Sequence, residues 1–277
     1  MSLKQAIKRR PKLKKALQIA RGDQVIALNY PVVLKPRYDG GPHPELFRLI
    51  SEHQEEFKDL LKSFSKYQSQ LIALKDVRWR NNFLPALDSV SLYCLLAEWK
   101  PKRYMEIGSG NSTVFARCSI TDNKLPTQII SIDPQPRAEI DVMCDEVIRK
   151  RAEEVSLSVF DQLETGDVLF VDNSHRCLPN SDVTAFFMDV LPRLKPGVFV
   201  HIHDICLPWD YPQQVAQEAY SEQYLLGVAL LMGNRLNTIL PNLFVTRTPE
   251  LLSIVTPIFD SLGDVEREGC SYWFSVK

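Results

Sequence analysis

The sequence predicts an open α/β fold with a mostly parallel sheet, an antiparallel C-terminal edge and a helical N-terminal extension. From about Lys100 onward, short apolar stretches typical of strands alternate with stretches of helical periodicity. Several of the apolar stretches end in glycine or in polar residues, as in EIGSG and HIHD. The last apolar stretches, RLNTILPNLFVTR and SYWFSVK, indicate strands without a long helix between them, which favours an antiparallel edge.

The elements follow in a regular order. Strands are predicted at 103–108, 128–133, 155–159, 167–172 and 197–204. One helix is predicted to begin at Asn111–Ser112, which can cap its first turn, and a second to cover 140–148. A third begins at Asn180 or Ser181 and ends at Lys195-Pro196-Gly197. Only a short connection, 160–166, is expected between the third and fourth strands.

The N-terminal part of the chain has a different character. Its first 21 residues carry eight lysines or arginines and no acid, which indicates a solvated, partly helical tail or a basic arm on an anionic surface. Residues 30–44 are rich in proline and glycine and predict a linker, and residues 45–75 show helical periodicity. We therefore predict an extension over 1–75 and an α/β domain over 76–277. Dimerisation and substrate capture are both open as roles of the extension.

Composition narrows the class of protein. The 277 residues are 45% hydrophobic and carry a net charge of −1, which gives no electrostatic case for nucleic-acid or membrane binding. No apolar run approaches the ~18 residues of a transmembrane helix. The six cysteines are scattered without a CxxC pair, so neither a zinc site nor a disulfide framework is expected. These features predict a cytoplasmic protein.

The first candidate ligand site is the glycine turn EIGSGNST. Gly108 and Gly110 allow a tight turn before a helix N-terminus, but Thr113 stands where a dinucleotide fingerprint needs its third glycine. Glu106 suits an amine-bearing ligand better than a pyrophosphate. Asp133 ends the second strand about 20 residues later, where an acid holds ribose hydroxyls in such sheets, although it can also cap a helix. Asp161 is a weaker candidate for an adenine amino group, or a plain turn residue.

The chain resembles the class I S-adenosylmethionine-dependent methyltransferases, whose sheet is Rossmann-like. The resemblance rests on ExGSGxST at 106–113, on Asp133 after IISID, and on DVLFVD and LPRLKPGVFV, and it covers roughly 100–277. It implies that S-adenosyl-L-methionine is the cofactor and that Asp133 binds its ribose. Its methionine part would lie against Glu106, Gly108, Ser109, Gly110, Asn111, Ser112 and Thr113.

A second polar cluster is predicted where the fourth and fifth strands end. His201 and His203 share a face of the strand, but His201 lies about 6–7 Å further back, which places it inside the sheet layer, whereas His203 and Asp204 emerge at the carboxyl end. Adjacent strands are ~4.8 Å apart, so Asp172 faces them. One imidazole and two carboxylates suit a divalent ion such as Mg²⁺, Mn²⁺ or Fe²⁺. His175 lies at the mouth of this site, where it can accept a hydroxyl proton.

This cluster resembles that of cation-dependent O-methyltransferases, including those that act on macrolide sugars. Asp172, Ser174 and His175 match their D-x-S-H arrangement, with the histidine as base, whereas His203 stands where those relatives usually carry an acid. The resemblance implies methyl transfer to a hydroxyl of a small-molecule acceptor.

Alternative functions are a nicotinamide-dependent oxidoreductase, a hydrolase or oxygenase that uses the histidine cluster, and a non-catalytic scaffold. The missing third glycine and Glu106 disfavour the first, and Asp133 would have no role in the second. No motif for a flipped base is present, so no nucleic-acid substrate is expected.

Two further segments have two interpretations each. Pro208, Trp209, Tyr211 and Pro212 can form an aromatic lip over the cleft or pack the next helix on the sheet. The run Arg78 to Asn82 can be a lid or an ordinary connection.

Overall fold

A computed structural model describes Ala20, Ile26 and residues 29–277, apart from 76, 82, 137 and 138. Residues 35–277 form one compact unit, which contains every element named below. The basic arm of the first 21 residues lies outside the described residues, except for Ala20. Within the described ranges, no helix is long and apolar enough to cross a membrane.

The sheet has seven strands in the order β3-β2-β1-β4-β5-β7-β6. Neighbouring strands from β3 to β5 run parallel, and β7 runs antiparallel to both β5 and β6, which confirms the predicted α/β fold. The bounds of the strands are β1 Arg103–Ile107, β2 Gln128–Ile132, β3 Glu146–Ile148, β4 Val168–Val171, β5 Phe199–Ile202, β6 Leu236–Pro241 and β7 Tyr272–Val276.

Helices occur both in the extension and between the strands of the sheet. The predicted helical stretch over 45–75 forms three short α-helices and one 3-10 turn, and their apolar residues join the core of the sheet domain. The α-helices are α1 Pro44–Ser51, α2 Gln54–Ser63, α3 Gln68–Ala73, α4 Ala86–Trp99, α5 Asn111–Asp122, α6 Leu157–Phe160, α7 Asp182–Ala185, α8 Gln213–Gln217, α9 Glu222–Met232, α10 Asn242–Arg247 and α11 Pro249–Leu262. Helix α7 continues as a π-helix over Phe186–Val190 and a 3-10 turn over Leu191–Arg193. Further 3-10 turns are Tyr38–Gly40, Phe64–Tyr67, Asp141–Met143 and Ala152–Glu154.

The order of strands reverses between β1 and β4. The chain passes from β1 to β2 and β3 on one side, and then returns to β4 on the other side. Open α/β sheets bind ligands in the crevice outside the carboxyl ends of the strands at such a point. The Asp172 amide donates to the Ile107 carbonyl, so the residues that follow β1 and β4 lie side by side.

The predicted third strand was wrong. Residues 155–159 do not form a strand: the Ser156 hydroxyl accepts a hydrogen bond from the Ser158 amide and caps α6 instead. The third strand is β3, within the stretch predicted as a helix, and its residues are only partly buried because β3 lies at the edge of the sheet. The connection from β3 to β4 is therefore long and contains a helix, not a short turn.

The C-terminal prediction was right about the edge and wrong about the connection. The strand β6 ends at Pro241, and the next residues form α10 and α11. Helix α11 buries Leu251, Val255 and Phe259 and packs against α2 of the extension. A long helical crossover is therefore present. The strand β7 still pairs antiparallel with β6 because the chain reverses its direction after that crossover.

Candidate functional site

The turn after β1 requires glycine at its first position. Gly108 has a φ of +78°, and a Cβ atom there would lie 1.8 Å from the carbonyl oxygen of Asp172. Helix α5 then begins at Asn111, with Gly110 as its N-cap residue and the Thr113 hydroxyl as acceptor for the Gly110 amide. Asn111 and Ser112 lie inside the helix and do not cap it. The turn thus presses against the end of β4.

Glu106 holds this turn from inside. Its carboxylate is fully buried and accepts hydrogen bonds from the hydroxyls of Ser112, Thr113 and Tyr104. Burial raises the pKa of Glu106 to about 7, against the lowering effect of those hydroxyls. The carboxylate therefore ties β1 to α5, and we find it directed into the protein where we had expected it to meet a ligand amine.

The Glu106→Gln variant should gain stability relative to the wild type as the pH rises. The unfolded carboxyl has a pKa of 4.5 and the folded one a pKa of about 7, so the folded state must hold a buried charge once the pH passes this window. At about 1.4 kcal/mol per pKa unit, the wild type loses up to about 3 kcal/mol that the amide does not lose. Urea unfolding at several pH values measures the difference.

The matched control for this prediction is Asp161→Asn. A hydrogen bond from Arg193 lowers the pKa of the exposed Asp161, so its stabilising effect is lost as the pH falls, which is the opposite direction. Equal pH profiles for wild type and Glu106→Gln would show that Glu106 does not titrate in the window.

Asp133 connects β2 to the same turn. Its Oδ2 atom accepts the Ser109 amide at 2.9 Å, and its Oδ1 atom accepts the Gln135 amide at 2.7 Å. The Ser109 hydroxyl also lies 2.8 Å from the hydroxyl of Ser131 in β2. The second contact closes a bend at residues 134 and 135 and caps no helix there, and the first places the half-exposed carboxylate beside the turn.

Asp161 is placed differently. It follows α6 rather than a strand, and its carboxylate forms an exposed ion pair with Arg193 at 2.9 Å. The strand that it was predicted to follow does not exist. Arg149 follows the true third strand, and its guanidinium donates to the Asp133 carbonyl at 3.0 Å. The structure therefore brings Arg149, and not Asp161, to Asp133.

Asp172, His203 and Asp204 come together at the ends of β4 and β5. One ligand atom from each of the three lies within 4.8 Å of the others. The His203 Nδ1 atom is 3.6 Å from an oxygen of Asp172 and 3.6 Å from an oxygen of Asp204. The side chains of Asp172 and Asp204 remain 38% and 34% exposed, so both can be reached from solvent.

His175 approaches the same two aspartates. Its Nε2 atom lies 3.4 Å from Asp172 and 3.3 Å from Asp204, while its Nδ1 atom is hydrogen-bonded to the buried Glu222. Burial lowers the pKa of His175, but the charges of Glu222, Asp204 and Asp172 outweigh it and the pKa is raised. Its ring stacks on Tyr220 with centroids 4.5 Å apart.

The backbone is strained at both residues of the contact between His175 and Asp204. His175 has a φ of +62° and Asp204 a φ of +54°, a region that residues other than glycine rarely adopt. The Asn173 side chain accepts the His175 amide, and the His175 carbonyl accepts the Ser221 amide just before α9, which supports the strained conformation. Such strain is concentrated at functional sites.

Asp88 and Glu222 are site residues that the sequence reasoning missed. Asp88 lies in α4 and is the one charged side chain among the buried residues of that helix, which is a signal that could have been found. Its Oδ2 atom is 3.3 Å from the His203 Nε2 atom. Glu222 begins α9 and is fully buried, and burial raises its pKa to about 7 despite the bond from His175.

His201 is confirmed as a core histidine. It is fully buried, its Nε2 atom is 2.5 Å from the Ser271 hydroxyl, and its ring stacks on Phe170 with centroids 3.8 Å apart. Burial and the neighbouring His203 lower its pKa well below the usual value. Of the two histidines of GVFVHIHD, only His203 reaches the cluster.

Residues 105–205 match the family model of a methyltransferase domain. The matched segment runs from β1 to just beyond β5 and so contains the glycine turn, Asp133, His175 and the Asp172, His203 and Asp204 cluster. Asp88 and Glu222 lie outside it. No curated protein is significantly similar to the chain in sequence.

Among solved structures, the chain is similar to the plantazolicin methyltransferase BpumL in complex with SAH. The two share 12% sequence identity, the alignment covers 84% of this chain and 99% of that one, and the TM-score is 0.38.

The aromatic residues after β5 pack the neighbouring elements together. Tyr211 is fully buried, and Trp209 contacts Phe47 of α1 and Phe244 of α10. Tyr211 lies against Tyr224 of α9, as the packing interpretation expects, whereas Trp209 packs against α1 and α10. Pro208 and Trp209 also line a mostly apolar cavity of about 190 Å³, shared with Leu46 of α1 and Gly227 of α9.

Two side chains within the run Arg78 to Asn81 contact other parts of the domain. Trp79 packs on Phe115 of α5 with centroids 5.0 Å apart, and Arg80 pairs with Asp264. These contacts favour a connection fixed to the domain. Asn82, the last residue of the run, lies outside the described residues.

Proposed function

We propose that this chain is an S-adenosylmethionine-dependent methyltransferase that acts on a hydroxyl of a small molecule. The observation that carries the proposal is the contact between the glycine turn and the acidic cluster, since a Gly108 side chain would strike the Asp172 carbonyl. A methyl donor held on the turn and an acceptor held at the cluster would then be close neighbours. Such positioning supplies a large part of the barrier reduction in transfer reactions.

The cofactor side of the site consists of the turn and Asp133. Gly110 has no atom within 4 Å of the place where its Cβ would be, so the backbone there is open to a ligand. The half-exposed Asp133 carboxylate is the candidate for the ribose hydroxyls. Bound S-adenosylmethionine would supply the methyl group on a positively charged sulfur. Glu106 then acts through the shape of the turn rather than by contact.

The acceptor side consists of the cluster. The donor set of Asp172, His203 and Asp204 fits a divalent cation, which would hold the acceptor oxygen and lower the pKa of its hydroxyl. The His175 Nε2 atom would take the hydroxyl proton. Glu222 holds the other nitrogen of that ring, and Asp172 and Asp204 stabilise the imidazolium that results.

Calorimetric titration of S-adenosylhomocysteine into the protein, with EDTA and again with Mn²⁺, tests the proposal. We expect binding under both conditions and a loss of at least about tenfold in affinity for Asp133→Ala, because each ribose hydrogen bond to a charged group is worth about 1.5–3 kcal/mol. Asp161→Ala is the matched control, since its carboxylate pairs with Arg193, and it should bind like the wild type. The absence of binding under both conditions would refute the methyltransferase proposal.

A further inference from the structure

The two ring nitrogens of His203 have different surroundings. Nε2 faces Asp88 at 3.3 Å and the Cys270 sulfur at 3.4 Å, whereas Nδ1 faces the oxygens of Asp172 and Asp204. The ring is only 3% exposed. Its orientation is therefore fixed by the protein, with one nitrogen directed into the cluster and the other away from it.

Asp88 is itself held in place from several elements. Its carboxylate accepts the Asn242 amide group at 2.7 Å, the Cys270 backbone amide at 2.9 Å and the Ser271 backbone amide at 3.0 Å. These donors come from the start of α10 and from the chain just before β7. With a cation bound at Nδ1, the ring proton of His203 would lie on Nε2, where the fixed Asp88 carboxylate faces it at 3.3 Å.

Asp88, His203 and Cys270 form a second group in which one candidate ligand atom of each residue lies within 4.8 Å of the others. Because the Asp88 oxygens already accept several N–H groups, this second group acts as a hydrogen-bonding support for His203. Asp172 and Asp204, by contrast, keep exposed oxygens beside His203 Nδ1. The arrangement provides one nitrogen and two carboxylate ligands at a single point.

We propose that this site selects a first-row transition-metal cation such as Mn²⁺ over Mg²⁺, with Asp88 as the residue that positions His203. The inference rests on the cation site of the proposed function. Mg²⁺ takes oxygen ligands and keeps much of its water, whereas imidazole nitrogen favours the transition metals. A neutral imidazole directed by a buried carboxylate is a stronger ligand than a free one. An acid at position 203 would give a set of oxygen ligands only. The imidazole of His203 therefore decides the preference for a transition metal over Mg²⁺.

The test is Mn²⁺ binding by the full chain, followed by the electron paramagnetic resonance signal of free Mn²⁺, with Mg²⁺ as competitor. For the wild type, we expect that Mg²⁺ in at least about tenfold excess is needed to displace half of the Mn²⁺. His203→Asp should lower the Mg²⁺ excess that is needed, because its carboxylate replaces the nitrogen ligand that favours the transition metal, and an unchanged excess would overturn the proposal. Asp88→Asn should weaken Mn²⁺ binding by about 10–100-fold.

Asp167→Asn is the matched control for the loss of a buried carboxylate. Asp167 is 2% exposed and pairs with Arg103 at the opposite end of β4, so this variant should bind Mn²⁺ like the wild type. Circular dichroism establishes that each variant is folded, and His203→Asp tests selectivity even if Asp88→Asn does not fold.

Displacement of Mn²⁺ from the wild type by an equal concentration of Mg²⁺ would overturn the proposal, as would no Mn²⁺ binding. Binding of S-adenosylhomocysteine in EDTA is measured separately. A failure of the cation site is thereby distinguished from a failure of the methyltransferase proposal.

Discussion

Replacing Gly108 with alanine is expected to lower the free energy of unfolding by about 2–5 kcal/mol and to abolish binding of S-adenosylhomocysteine. The left-handed backbone costs an alanine about 1–2 kcal/mol, and overpacking costs about 1–3 kcal/mol more. The Cβ atom would lie 1.8 Å from the Asp172 carbonyl oxygen, so the turn and the end of β4 must separate. Urea unfolding and calorimetric titration measure the two effects.

Gly166→Ala is the matched control for Gly108→Ala. Gly166 also has a positive φ, of +90°, but nothing lies within 4 Å of its Cβ position. It should show the cost of the backbone conformation alone and keep cofactor binding. If both variants lost the same stability and both bound the cofactor, the contact between the turn and β4 would not matter.

His175→Asn is expected to reduce methyl transfer by about 10²–10⁴-fold while cofactor binding persists, because the proposed proton acceptor is removed. Asparagine is chosen because it tolerates the left-handed conformation that His175 adopts, with a φ of +62°. Activity is measured as the formation of S-adenosylhomocysteine with a panel of hydroxyl-bearing acceptors. His53→Asn is the control, since His53 pairs with Glu56 in a helix of the extension.

The Glu222→Gln variant tests whether His175 acts as a base. The charge of Glu222 helps to raise the pKa of His175, so its loss should lower that pKa. A base must be neutral to accept a proton, so the rise of kcat/KM with pH should shift to lower pH in Glu222→Gln. An unchanged pH profile, with His175→Asn still active, would exclude His175 as the base.

The predictions for His175→Asn and Glu222→Gln concern a network of side chains that crosses the carboxyl ends of the central strands. Glu222 and Asp88 hold His175 and His203 from the outside, while Asp172 and Asp204 lie between the two rings. Four carboxylates around two imidazoles leave an excess of negative charge, and this excess favours a cation at the centre.

Much of the fold could be predicted from the sequence because its signals are local. Buried parallel strands are continuous apolar runs, and β1, β2, β4 and β5 were found in this way. The edge strand β3 was missed because its residues are only partly buried and lack that pattern. The crossover helix α11 was missed although Leu251, Val255 and Phe259 have helical spacing, and only its packing against α2 depends on the tertiary structure.

For the site, the sequence by itself determined which side chains emerge at the strand ends. Position along the strand separated His201 from His203, which share a face, because only His203 lies at the carboxyl end, and the glycines marked the turn after β1. Only the tertiary structure decided what those side chains contact. It turned Glu106 inward, paired Asp161 with Arg193, and supplied Asp88 and Glu222 to the two histidines. The physical reason is that backbone periodicity acts between neighbours in sequence, whereas buried polar groups take partners from wherever the packed helices bring them.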